Sequence, residues 1–347
     1  MASAVIPTTL PKETDTMPLT PAEPRAAPPL TGSATKPKSK PQAPRRFRLT
    51  ERDWEILRML NRYRYARTSQ VRRLLFPATA SPQMARRRLS NLADSAYRYA
   101  ERIKPYVQIG NGSAECAWHL DRGGEELLRA LGDELVAYPR HKRAGRVKHA
   151  FLAHALDLSE FRLVLELALQ NHPMIELHRF TGEHELKRNV TAAIGADAYR
   201  LYDRVIDPHA IQGQSFKVAP DALVVLKGKG RFADARQLYF VEIDRGTEGL
   251  GRLRDKVIGY GLYHELAVYR KYGHFTGFLV LFQVPSPRRA DDLLRALAGT
   301  RGAELVWVTD SAHVTETTVL STPIWLDQRG ERKTLLKTTS HSQPSGD

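Results

Sequence analysis

Cysteine is almost absent from this chain. The lone Cys116 among 347 residues excludes an internal disulfide framework and a cysteine-based zinc finger, and it fits a reducing, cytoplasmic setting. No run of about 18 apolar residues is present, so no transmembrane helix is expected. The first residues carry neither the basic flank nor the apolar stretch of a signal peptide. A phosphate loop is also missing. Lys227-Gly228-Lys229-Gly230-Arg231 lacks the Gly-Lys-Ser/Thr ending and joins two strand-like runs, which makes it a hairpin turn. No serine- or cysteine-based triad and no internal repeat is suggested. His149 and His154 are five apart, off the spacing of a metal pair on one helix face. Like His172, His178 and His184, they read as scattered surface or core residues.

The length predicts about two domains with room for a sizeable core. An apolar fraction of 42% is ordinary for a globular protein. The charge is not ordinary. Lys and Arg number 53 against 38 Asp and Glu, a formal net charge of +15. Such an excess, rich in arginine and concentrated in the first third, points to an anionic partner, and nucleic acid is the preferred one.

Residues 1–46 are dense in Pro, Ala, Thr and Lys. They cannot bury enough surface to offset their ordering entropy, so a disordered basic arm is expected, with Lys36, Lys38, Lys40, Arg45 and Arg46 drawn to phosphates. Residues 334–347 read as a loose polar tail. Between them, 47–132 and 147–333 read as two folded domains joined by a linker at 133–146.

In the first domain, Thr50 caps a helix with Glu51 and Asp53 in its first turn. A second helix follows Thr68 and ends at Phe76-Pro77, and Ser81-Pro82 opens a third. There Ala85, Leu89 and Leu92 share one face, while Arg86, Arg87, Ser90 and Asn91 lie largely on the other. Strand-like runs at Ile103–Val107 and Cys116–Leu120 flank Gly110-Asn111-Gly112, and Asp121 caps a further helix through Leu131. Three helices and a hairpin describe a winged helix-turn-helix, with the third helix in the major groove of double-stranded DNA and Arg86, Arg87 and Asn91 as its reading residues.

The second domain should open with a long amphipathic helix from Val147 to Leu169 and a strand at Ile175–Phe180. Residues 181–215 are hard to place, with a short helix at Glu185–Ile194. Strands at Val218–Leu226 and Leu238–Ile243, a helix from Leu250 to Tyr272, a strand at Gly277–Val284, a helix at Pro287–Leu297 and a strand at Glu304–Val308 complete an α/β sheet with helices on its faces. The first two of these strands end in carboxylates, Asp221 on one and Glu242 and Asp244 on the other. Acidic side chains at one edge of adjacent strands suit a divalent metal held against a phosphate.

The words Pro220-Asp221-Ala222 and Glu242-Ile243-Asp244-Arg245-Gly246-Thr247, with Lys256 and Tyr260 in the next helix, make the second domain resemble the PD-(D/E)XK restriction-endonuclease-like fold. From about Leu49 to Asp310 the whole chain resembles the replication-relaxation family of bacterial plasmids and other mobile elements. The resemblance implies Asp221, Glu242 and Asp244 as ligands of Mg²⁺ or Mn²⁺, with Glu160 or Glu166 from the first long helix as a further acid. It also implies a lysine two residues after the glutamate; Asp244 stands there, and Lys256 is the candidate replacement. A metal-dependent nickase that relaxes supercoiled DNA is the enzymatic expectation. The alternative is a non-catalytic transcriptional or copy-number regulator with a degenerate nuclease-like domain, in which Arg245 pairs with Glu242 or Glu248 and the second domain forms a homodimer or other protein contacts.

Overall fold

A computed structural model describes residues 48–94, 96–104, 115–136, 147–186, 203–210 and 213–336. The expected basic arm, the Gly110-Asn111-Gly112 loop, most of the linker and the last eleven residues lie outside that set.

Helix α1 (Glu51–Tyr63) begins at Thr50, whose N–H and hydroxyl both donate to the Asp53 carboxylate (2.7 and 2.8 Å). Helices α2 (Thr68–Leu75) and α3 (Pro82–Leu92) follow, the latter capped by Ser81 Oγ, which accepts from Gln83 N. Short strand β1 (Ala66–Arg67) and the hairpin strands β2 (Ala100–Ile103) and β3 (Ala117–Leu120) form an antiparallel sheet in the order β1-β3-β2. Helix α4 (Arg122–Ala130) starts at Asp121. Ile56, Leu57, Leu60, Val71, Ala85, Leu89 and Leu92 form the interior here. Beyond α4, Asp133 pairs with Arg58 and Asn61 exchanges hydrogen bonds with the backbone at Glu134 and Val136, so the first residues of the expected linker are anchored to α1.

The larger sheet has the order β12-β11-β10-β9-β8-β7-β4. Its strands are β4 (Ile175–Gly182), β7 (Ala222–Gly228), β8 (Arg236–Ile243), β9 (Phe278–Val284), β10 (Val306–Asp310) and the very short β11 (Trp325–Leu326) and β12 (Arg332–Lys333). Strands β8, β9 and β10 run parallel, while β7 is antiparallel to both β4 and β8. The central strands read as continuous apolar runs because both faces are covered. On one face Leu223, Val225, Phe240, Val280 and Phe282 pack against α7 (Leu250–Glu265) and α8 (Pro287–Leu297). On the other, Ala222, Val224, Val241 and Leu281 pack against α5 (His149–Leu169). A two-stranded ribbon of β5 (Asp203–Ile206) and β6 (Ser215–Val218) sits on the α7 side, and a one-turn helix α6 (Glu183–Leu186) follows β4.

Several boundaries differ from expectation for local reasons. The run from Val218 to Leu226 is two strands, because Ala219-Pro220 interrupts the ladder where proline has no N–H to give. Helix α7 ends at Glu265; Ala267 takes the left-handed conformation (φ 53°) and a 3-10 turn covers Val268–Tyr272. Strands β11 and β12 are too short to leave a periodic signature. Order continues past Lys333, since Leu335 is buried in the core beside α5.

Helix α5 is not amphipathic in the ordinary sense. Phe161, Val164, Leu165 and Leu169 face the sheet, Leu163 enters the core of α1–α4, and Leu152 and Leu156 join Tyr65, Ile103 and Ala117. Ser159 Oγ donates to Tyr65 O (2.7 Å), and Gln70 Nε2 donates to Leu156 O (3.1 Å). One helix therefore contributes to three apolar clusters, one under the sheet and two shared with the first half of the chain. Replacing Phe161 or Leu163 by Ala should each cost about 2–5 kcal/mol in denaturant unfolding. A loss under about 1 kcal/mol at Leu163 would mean that α5 serves the sheet alone.

Candidate functional site at the sheet edge

The register that pairs Ala222 with Val241 sets Asp221 opposite Glu242, one residue further along, at the end of β8 where α5 and α7 both approach. Asp221 Oδ2 accepts from the Ile243 N–H at 2.7 Å, and its Oδ1 lies 3.0 Å from His154 Nε2 on α5. Glu242, with a side chain 3% exposed, accepts from Lys256 Nζ at 3.0 Å through Oε2 and from the Tyr260 hydroxyl at 2.5 Å through Oε1. Lys256 also reaches Glu248 at 3.1 Å. Lys256 and Tyr260 are one helical turn apart on α7 and approach from the same side. A chain of charged side chains thus crosses the sheet edge, from His154 through Asp221 and Glu242 to Lys256 and Glu248.

Burial and charge act in opposition along this chain. Burial pushes the Glu242 carboxyl up to about 7, Asp221 adds to the rise, and Lys256 and Tyr260 oppose it. Burial would also raise Asp221, but the hydrogen bond and charge of His154, with Lys256 and the Ile243 N–H, hold it below the usual range. Burial would lower His154 and Lys256; the carboxylates they face overcome it and raise both. The Lys256 ammonium faces three carboxylates, those of Glu242, Asp221 and Glu248, which is why it is raised.

Asp244, two residues on, is held by other partners. Its Oδ2 accepts from Arg289 Nε on α8 (2.6 Å) and its Oδ1 from the Gly246 N–H (2.9 Å). Gly246 takes a left-handed φ of 74° that a side chain would strain, and this tight turn points the aspartate at α8. Arg245 pairs with Asp157 of α5 (3.0 Å) and leaves Glu242 and Glu248 to Lys256. Glu160 is held by Arg73 and Gln70, and Glu166 by Arg162. The structure therefore brings Asp221, Glu242 and Lys256 together and sets Asp244 apart. Among the described residues, no group of three or more His, Cys, Asp or Glu side chains is placed to hold a metal ion.

Two partners of these carboxylates escaped the sequence reading. His154 lies four and seven residues before Leu158 and Phe161, on the stripe that faces the sheet; a polar residue on that stripe was the available signal. Arg289 is 45 residues from Asp244, and no spacing rule connects them. In the other half, Arg86 and Arg87 are exposed on α3 and Asn91 is half-buried, while Arg88 turns inward to Asp53.

Taken together, the protein is a mixed α/β chain with a charge-paired carboxylate edge and an arginine-bearing helix in its first half. It belongs to the replication-relaxation family, whose sequence pattern matches residues 57–278. No match was found among curated proteins or solved structures. No helix among the described residues is long and apolar enough to cross a membrane.

The sign of the pH effect follows from these shifts. Glu242, raised from 4.5 to about 7, binds its proton more tightly when folded, so its contribution to stability falls by ~3 kcal/mol as pH rises through that window. His154, also raised, contributes fully below 6.5 and loses its contribution as pH rises through its folded pKa. Both effects make the protein less stable at pH 8 than at pH 5.5. Side-chain carboxyl NMR should place the Glu242 midpoint near 7; a midpoint between 4 and 5 would show that Lys256 and Tyr260 cancel its burial.

Proposed function

We propose that this is a DNA-binding protein acting in the replication and relaxation of a plasmid or mobile element, with residues 47–132 as a winged helix-turn-helix and 147–333 as a PD-(D/E)XK-like domain. The observation that carries the reading is the division of labour on α3. Arg88 is spent inside on Asp53, whereas Arg86 and Arg87 stand in solvent beside Asn91. Ala85, Leu89 and Leu92 anchor the opposite face in the core. A helix held by one face and offering arginines on the other suits the major groove of double-stranded DNA. The net charge of +15 favours any phosphate backbone, and family membership favours this partner over other polyanions.

Cleavage is a second reading, supported by Lys256 reaching Glu242 across from Asp221. Asp221 and Glu242 are hard oxygen donors in register, and they would hold a Mg²⁺ or Mn²⁺ ion. Bound there, such an ion would supply polarisation of a phosphodiester and a lowered pKa for an attacking water. Lys256, kept protonated by its carboxylates, would stabilise charge developing on the phosphate. Tyr260 and the Ile243 N–H would fix the orientation of the two carboxylates. Asp244 does not fit this set, because Arg289 neutralises it. The competing regulator would use the same edge only as structure.

Both readings meet in one experiment. Supercoiled plasmid is incubated with Mg²⁺ or Mn²⁺ and wild type, Asp221→Ala or Glu242→Ala. Open circles from the wild type alone support the nickase; equal conversion, or none, by all three leaves the regulator. In parallel, Arg86→Ala/Arg87→Ala should weaken duplex binding and flatten its log–log salt dependence by roughly one to two. An unchanged slope would move the DNA interface off α3.

A further inference from the structure

The turn from α1 into β1 is strained at an arginine. Arg64 has φ 68° and ψ −55°, outside even the left-handed helical region, and the Tyr65 N–H donates to Tyr63 O across it at 2.8 Å. This is the γ-turn in its strained hand. Glycine would make it at no steric cost. Strain of this kind persists where the surroundings hold a side chain in one place, and it marks ligand clamps more often than plain links.

The place is a narrow groove over α5 that ends at the acidic edge. The Arg64 guanidinium carbon lies 4.8 Å from the centre of the Phe151 ring and 5.4 Å from that of Tyr65. The groove is lined by Phe151 and His154 of α5, by Arg62 and Arg64 of the turn, and by Gly182 and Glu183 where β4 passes into α6. His154 reaches the Asp221 carboxylate at 3.0 Å, and the Glu183 N–H donates to Asp221 O at 2.7 Å. Whatever lies in this groove therefore lies against Asp221.

The lining limits what that can be. It includes Arg62, Arg64 and Arg162, with Glu183 as its one carboxylate. Arg162 is engaged elsewhere, since it pairs with Glu166 and donates to Arg62 O (2.8 and 2.9 Å). Arg62 is exposed and Arg64 half-buried. Guanidiniums repel a metal cation and match the oxygens of a phosphate. An open volume of about 40 Å³ admits roughly three waters, enough for the oxygens of one phosphate and too little for a stacked base. Resting on the DNA-binding reading above, we infer that this groove is a backbone subsite, in which Arg64 and Arg62 hold one phosphodiester of a DNA strand and lay the strand against Asp221 and Glu242. A carboxylate would satisfy the same guanidiniums, but the net charge of +15 and the family favour a phosphate.

The test measures the salt dependence of DNA binding, with a melting curve for each protein, for wild type, Arg62→Ala, Arg64→Ala, Arg64→Gly, Arg64→Lys and Arg86→Ala/Arg87→Ala. Loss of one phosphate contact lowers the log–log slope by about 0.9 and weakens binding roughly fivefold to tenfold near 0.1 M salt. Arg64→Ala, Arg64→Gly and Arg62→Ala should each show that loss, and Arg64→Lys should keep the slope. Arg64→Gly should melt above Arg64→Ala, because glycine takes the turn without strain. An unchanged slope in a cooperatively melting Arg64→Ala overturns the proposal, and so does an Arg64→Gly that melts below Arg64→Ala. If Arg64→Ala does not fold, the exposed Arg62→Ala decides in the same way. Arg64-dependent binding of poly-glutamate in place of DNA would assign the groove to an acidic protein and overturn the phosphate. If Arg86→Ala/Arg87→Ala weakens binding while the Arg62 and Arg64 variants do not, only the groove falls. If wild type binds no DNA, the DNA-binding reading falls with it.

Discussion

Two carboxylates face each other at the dry end of adjacent strands, and much of the structure answers that problem. Asp221 and Glu242 stand in register where the sheet is covered from both sides. Buried charges of like sign are unstable together without a counterion for each. One counterion comes from each covering layer, His154 from α5 and Lys256 from α7. Tyr260 and the Ile243 N–H take the remaining oxygens. Removing either helix would leave an uncompensated carboxylate. The edge therefore ties sheet, α5 and α7 into a single arrangement, and the raised Glu242 carboxyl and His154 imidazole make that arrangement sensitive to pH.

Helix α5 carries the same constraint into the first half of the chain. Its sheet-facing stripe delivers His154, while Leu163, Ser159 and the acceptors of Gln70 and Arg67 fix it to α1, α2 and β1. Arg67 and Arg245 share Asp157, so one carboxylate lies between the start of α2 and the turn after β8. A duplex seated on α3 would then have a fixed relation to the acidic edge. The helix and the edge sit on one packed framework joined through α5.

Much of this was legible in the sequence because the signals were local. Thr50, Ser81-Pro82 and Asp121 announce their helices by capping chemistry, and α8 is found at Pro287–Leu297 as expected. The apolar runs at β7, β8 and β9 announce a doubly covered sheet, and the carboxylates ending the first two locate the candidate site. What stayed hidden depends on contacts distant in sequence. Asp244 looks like a third carboxylate of the edge until Arg289 is seen to claim it. His154 looks like a stray histidine until α5 lies on the sheet. Helix α5 reads as one-sided because a periodic pattern cannot show that a second core waits on its far side.

The central claim is that α3 and the acidic edge engage one DNA molecule as parts of a single framework. Amide hydrogen exchange with and without plasmid DNA tests it most directly. The account predicts slowed exchange in α3 and, in the same complex, in the segment from Glu242 through the start of α7. Slowing confined to either region alone, with the other exchanging as in the free protein, would contradict it.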